Sequence, residues 1–186
     1  NAQQLESLKI LKIKHDSIET QLKLKYQEEI KGKSESEISE IYYQNLLSRS
    51  KNNRERLDHY FSAVQTFLET QKLIGPSQEA AQQEIPDKTA NYSQGFPALY
   101  KEVHDFIKNQ YQDRLDEFFT KSAKIHFIVQ NDHSLYIEKV EGTEKEFNDL
   151  ALLAFLMTTG KWESAFQRGM NVKSKFVLPV KFVVEE

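Results

Sequence analysis

No cysteine occurs anywhere in the 186 residues. That excludes a disulfide scaffold, a thiolate metal site, a thioether-linked haem and a cysteine nucleophile. It leaves the redox compartment open. Charge of one sign is also lacking: 25 basic side chains stand against 28 acidic ones, for a net charge of −3 and a pI near 6.0. Nucleic-acid-binding chains usually carry a basic surplus, so no nucleic-acid partner is expected. The longest uninterrupted apolar run, Leu150 to Met157, is far short of the ~20 residues that span a bilayer, and nothing here reads as membrane-spanning. The six glycines never cluster, so no loop is built to cradle a phosphate. No serine stands in a nucleophile elbow. The five histidines (His15, His59, His104, His126, His133) include no i, i+4 pair with the glutamate of a metalloprotease helix. The expectation is a protein without catalytic residues, metal or cofactor.

What is present falls into three stretches: a helical segment over 1–74, a linker over 75–97 and a mixed domain over 98–186. The first has no proline and one glycine, Gly32, among many Leu, Lys, Glu and Gln residues. Leu8, Leu11, Ile18 and Leu22 recur at steps of three and four, with His15 in the same seam. Gly32 ends that helix, and Ser34 with Glu37 offers a capping box for the next. Ile38, Ile41, Tyr42 and Leu46 form a second stripe, and Leu57, Tyr60, Phe61, Val64, Phe67 and Leu68 a third. The polar run Arg49 to Asn53 between them suggests a kink or turn, so the segment reads as a hairpin of two helices or a three-helix arrangement. Three of the four prolines (Pro76, Pro86, Pro97) fall within 75–97, which marks a linker, either mobile or wrapped over a surface.

From residue 98 the pattern becomes α+β. Leu99, Val103, Phe106 and Ile107 give an amphipathic helix. Ile125, Phe127 and Val129 alternate with polar neighbours, Asn131 to Ser134 supply a turn, and Leu135, Ile137 and Val140 return to Gly142, which together make a hairpin. Thr143 and Glu146 offer a second capping box for a helix ending at Gly160. Phe147, Leu150, Ala151 and Ala154 share its sheet-facing stripe. Phe176, Leu178, Val180, Phe182 and Val184 alternate in a last strand that contains Pro179. A proline inside a strand lacks a ladder donor, so this strand belongs at a sheet edge or carries an irregularity.

Two contact features stand out. Leu152 and Leu156 lie off the Phe147–Ala154 stripe at ~100° per residue and need another partner, either the N-terminal helices or a second chain in a homodimer. The last strand invites strand addition by an extended peptide, while Lys175, Pro179 and Lys181 are equally suited to protect an edge from such pairing. Paired carboxylates such as Asp116-Glu117 read as solvated surface. A hydrolase or metal site built on His126, His133 and Asp132 across the hairpin turn is the remaining enzymatic reading.

Taken together, residues 95–184 resemble the C-terminal domain of TonB, the periplasmic energy-transducing protein of Gram-negative bacteria. The resemblance rests on the helix PALYKEVHDFIKNQYQ, the hairpin KIHFIVQNDHSLYIEKVEG, the helix FNDLALLAFL and the tail GKWESAFQRGMNVKSKFVLPVKFVV. Trp162 after Gly-Lys, Gly169, and Leu178-Pro179 followed by Phe182 are its most specific points. Gln112, His133, Ser164 and Asn171 depart from it, and the proline-rich spacer usual in that family is not in this chain. The resemblance implies an αββαβ unit with a three-stranded antiparallel sheet in the cell envelope. It further implies that an extended segment of a protein or peptide partner, an outer-membrane protein in that family, pairs with Phe176, Val177, Leu178, Pro179, Val180, Lys181 and Phe182. A periplasmic or secreted location also suits the opening Asn1-Ala2-Gln3-Gln4 as the end of a signal-peptide cleavage site, although an arbitrary boundary accounts for those residues equally well. The competing reading is a structural or assembly protein whose helical half and sheet edge serve self-association.

Overall fold

The structure, a computed structural model, describes residues 2–77, 86–110 and 120–181, with side chains from residue 6 onward. Helix α1 (Ala2–Glu29) and helix α2 (Glu35–Ile74) form the N-terminal half. They are followed by β1 (Asn91–Tyr92), α3 (Phe96–Gln110), β2 (Ser122–Val129), β3 (Leu135–Gly142), α4 (Lys145–Leu156), β4 (Trp162–Glu163), β5 (Ala165–Gln167), β6 (Met170–Val172) and β7 (Ser174–Lys181). The class is α+β, with a helical N-terminal half and a three-stranded antiparallel sheet. The chain divides into two compact units, Glu6–Gln65 and a second made of Thr66–Glu186 with Asn1–Leu5. The division therefore falls inside α2 rather than at its Gly75 end.

In the first unit, α1 and α2 run antiparallel. Gly32 takes a positive φ of 68° in the turn, a conformation that costs a glycine nothing. The capping box forms: Glu37 Oε2 accepts from the Ser34 backbone N–H (3.0 Å) and from Ser34 Oγ (2.7 Å). Those two hydrogen bonds, with Lys33 beside them, hold the Glu37 carboxyl down at about 2. Arg49 to Asn53 does not bend the chain. These residues are helical, and two of them, Arg49 and Asn52, join the inner seam because their side chains have partners on α1. Arg49 Nε donates to Glu19 Oε1 at 2.7 Å, and Asn45 Nδ2 donates to the Leu22 carbonyl at 2.7 Å. Buried His15 meets Asn52 Oδ1 through Nδ1 (2.8 Å) and His59 Nδ1 through Nε2 (3.0 Å), and Asn52 Nδ2 donates back to the His15 carbonyl (3.2 Å). A polar layer with matched donors and acceptors fixes the register of paired helices more than it strengthens them.

In the second unit the sheet order is β3-β2-β7, all antiparallel. Ala123, Ile125, Phe127 and Val129 of β2 are buried on one face, and α4 packs there against β2 and β3, with α3 alongside α4. From Leu150 to Leu156 every residue of α4 is buried. The second capping box does not form: Glu144 occupies the N-cap with no side-chain cap bond. Thr143 instead closes the end of the hairpin, donating its N–H to the Ser122 carbonyl (3.1 Å) and accepting the Ser122 N–H at Oγ1 (3.4 Å). The described part of the linker is wrapped rather than loose. Lys88 bridges Phe166, and Tyr92 pairs with Trp162 and is fully buried.

Candidate functional site

The last strand is the site that the sequence singles out, and its neighbours set what it can do. β7 pairs with β2 without a break in register, from Ser174 opposite Val129 to Lys181 opposite Ser122. Leu178 and Val180 are buried and Phe176 is half-buried, whereas Lys175, Val177, Pro179 and Lys181 are exposed. Phe176 anchors the strand. Its ring stacks on Phe127 at 5.5 Å between centroids and meets Trp162 at 5.8 Å and Phe96 at 6.1 Å. Aromatic pairs at such spacing add to the burial of the rings themselves. Trp162 completes the cluster, and its Nε1 is buried with no partner among the described residues.

Alternation extends to the backbone. In an antiparallel strand the N–H and C=O of one residue point the same way, and those of the next residue point oppositely. Pro179 has no N–H to give β2, and the Lys181 carbonyl is met by His104 Nε2 of α3 at 3.0 Å. Both place the odd-numbered residues with their backbone groups away from β2. The outward row is then the N–H and C=O of Lys175 and Val177, followed by the Pro179 carbonyl. Proline at an outward position leaves the ladder to β2 intact, as edge strands require. The sequence expectation of an edge strand is met in its position, and both proline and lysines lie on its exposed face.

The opposite margin of the same sheet is treated differently. Gln71, on the last turns of α2 and 2% exposed, presents its whole amide to the backbone of Ile137 on β3. Its Oε1 accepts from the Ile137 N–H (2.9 Å) and its Nε2 donates to the Ile137 carbonyl (2.6 Å). One side chain thus reproduces the pair of bonds that a neighbouring strand would make. Periodicity gives no hint of this contact, since Gln71 looks like an ordinary polar helical residue.

The other expectations fall out as follows. Phe182 lies outside the described residues. Leu152 and Leu156 are 3% and 6% exposed, so both are already covered within the single chain and neither offers surface to a second copy. The reason is that α4 is enclosed on both of its apolar faces, with the sheet on one side and α3 packed along it. His126 and His133 are not brought together. His126 Nε2 meets Glu141 Oε2 at 3.0 Å, and Glu141 is held below the usual carboxylate range, first by its hydrogen bond from Lys139. His133, at a positive φ of 67°, instead accepts the Ser164 N–H at Nδ1 (2.9 Å). Asp132 bonds the Ser134 N–H (3.0 Å) in a local turn. Among the described residues no group of three or more His, Asp or Glu is placed to hold a metal ion, and no helix is long and apolar enough to cross a membrane.

The fold and this margin define an α+β chain whose three-stranded sheet has one edge capped by Gln71 and, among the described residues, no further strand beside β7. Compared with family models, curated proteins and solved structures, the chain matches none.

Proposed function

We propose that this chain is a non-enzymatic binding module of the cell envelope, periplasmic or secreted, that captures an extended segment of a protein partner by strand addition at β7. The observation that carries the reading is the asymmetry of the sheet: β3 is capped at Ile137 by Gln71, whereas among the described residues β7 has only β2 beside it in the sheet. Main-chain hydrogen bonds would supply affinity, and the exposed Lys175, Val177 and Pro179 side chains would read alternate residues of the incoming strand. The likeness of 95–184 to TonB C-terminal domains supports the same edge and the same compartment, with an outer-membrane protein as partner. Sequence pattern and edge chemistry each support pairing at β7.

The bonded Lys181 carbonyl and the missing Pro179 N–H confine pairing to the beginning of the strand. An incoming segment would be held by about four backbone bonds, two each at Lys175 and Val177, and gain only an acceptor at Pro179. Each such bond contributes roughly 1 kcal/mol net, so micromolar affinity would need side-chain contacts as well. The test is a display selection of extended peptides on the immobilised chain, followed by an amide NMR titration with the selected peptide. The reading expects shifts centred on Lys175 and Val177. Shifts confined to the α1–α2 pair, or to the β5–β6 turn, overturn it.

A further inference from the structure

Helix α2 carries a second surface that the strand edge does not involve. Glu40, Tyr43, Leu47, Ser50 and Arg54 recur at steps of three and four. They lie on the side of the helix opposite the Asn45, Arg49 and Asn52 seam that meets α1. Leu46 flanks this row, while Tyr42 lies toward the α1 seam, its ring 6.1 Å from that of Tyr26. Tyr42, Tyr43, Leu46 and Leu47 are each about half exposed, at 54, 54, 46 and 46%. Together they leave roughly 300–400 Å² of mainly apolar surface on one helical turn and a half, the size of patch that marks an interaction site on a monomer.

Charge on the same helix is segregated on either side of that patch. Residues 35–47 contain Glu35, Glu37 and Glu40 and no basic side chain. Residues 48–56 contain Arg49, Lys51, Arg54 and Arg56 against Glu55 alone. Arg49 is committed to Glu19 across the seam, and Arg56 approaches Asp16 at 3.9 Å. Lys51, with 72% of its side chain exposed, and Arg54, also exposed, belong to the outer side. Glu40 has only the amide of Gln44, one turn along, on its carboxylate (2.9 Å).

Glu40, an apolar patch and Arg54 in that order on one face are complementary to the same face turned end for end. We propose that two copies of this chain associate through α2, antiparallel about a two-fold axis near Leu47. Glu40 of each α2 then lies beside Arg54 of the other, and the two tyrosine–leucine patches cover one another. A two-fold axis requires the same patch on both copies to be self-complementary, and this charge order supplies that property. A parallel arrangement would set Glu40 against Glu40 and Arg54 against Arg54.

Sedimentation equilibrium on the full chain tests this, over about 10 μM to about 1 mM, the range expected for a patch of modest area. The weight-average mass should rise from 21.8 kDa toward twice that value. Leu47→Glu should raise the dissociation constant at least ~tenfold with unchanged far-UV circular dichroism, and Tyr43→Ser should act in the same direction should the first variant lose helix. Glu40→Arg and Arg54→Glu should each weaken association severalfold, while the double reversal E40R/R54E should restore it. Val177→Pro should leave the mass unchanged, which separates this face from the β7 edge. A chain monomeric at 1 mM, a dimer indifferent to Leu47→Glu, or a double reversal weaker than both single changes would overturn the proposal.

Discussion

Replacing Gln71 by alanine removes the side chain that caps β3, and the cost can be worked from the geometry. Both Ile137 backbone groups are bonded to that one amide, at 2.9 and 2.6 Å, and Ile137 is only 4% exposed. Each buried group left without a partner costs about 1–2 kcal/mol, so Gln71→Ala should lose about 2–4 kcal/mol of stability in the sheet-bearing unit. Trp162 is the only tryptophan and sits in that unit, so its fluorescence reports the right transition even if the α1–α2 pair unfolds separately. In urea, with m of about 2 kcal/mol/M, the midpoint should fall by about 1–2 M at constant m. Gln71→Glu sharpens the argument. One carboxylate oxygen still accepts from the Ile137 N–H, but the other now faces the Ile137 carbonyl. The ionised form should be at least as unstable as alanine. A buried glutamate whose charged form is disfavoured has a raised folded-state pKa, so stability should recover as pH falls and the carboxyl becomes a donor. A loss below about 0.5 kcal/mol for Gln71→Ala, with the Ile137 amide still slow to exchange, would refute the capping role.

Three further outcomes follow from other parts of the chain. The Glu37 carboxyl, held at about 2 against an unperturbed 4.5, contributes stability that is complete above the unfolded value and is lost as pH falls through 2; its carboxyl resonance should titrate near 2, and Ser34→Ala should return the midpoint toward 4.5. Tyr92 accepts the Gly160 N–H (2.6 Å) and donates to Glu102 (2.7 Å), and burial first, with that glutamate second, raises its pKa. Tyr92→Phe should therefore cost about 2 kcal/mol at neutral pH, and the wild-type contribution should disappear as pH rises through the folded-state value, both readable by thermal unfolding. Gly142→Ala should destabilise by more than about 2 kcal/mol in the same assay, since a Cβ there would lie 2.4 Å from the Ser122 backbone carbonyl, which cannot move without opening the hairpin.

Much of this architecture could be read from residue order, and the failures have physical causes. The β2–β3 hairpin was legible from alternation, but its irregularity was not read. The apolar positions Leu135, Ile137 and Val140 change step by one, and the register shifts there, between His126 and Phe127 on the partner strand, leaving Glu138 as the extra residue. Pro179 called for either an edge position or an irregularity in β7, because proline lacks a donor in any context, and the edge position is the one that forms. By contrast, the polar run at Arg49 to Asn53 reads locally as a break, and only the partners on α1 turn it into a seam. Glu19, His15 and the Leu22 carbonyl are 23 to 37 residues away from the side chains they satisfy. Leu152 and Leu156 failed as interface residues for a related reason: a helical wheel shows that a face is apolar but not what covers it. The cap at Ile137 joins residues 66 apart in sequence and leaves no periodic trace. Thr143 at the start of α4 shows that a capping signature competes with other uses of the same hydroxyl, here the hairpin end.

The central proposal is that the outward backbone row at Lys175 and Val177, which has no strand beside it among the described residues, takes up a partner strand. Residue-resolved amide hydrogen exchange along Ser174–Lys181, with and without a selected peptide, measures it directly. Phe176, Leu178 and Val180, bonded to β2, should exchange slowly in both states, whereas Lys175 and Val177 should exchange fast alone and at least ~tenfold more slowly with peptide. Uniformly slow exchange along the free strand, or Lys175 and Val177 amides that stay fast with peptide bound, would contradict the account.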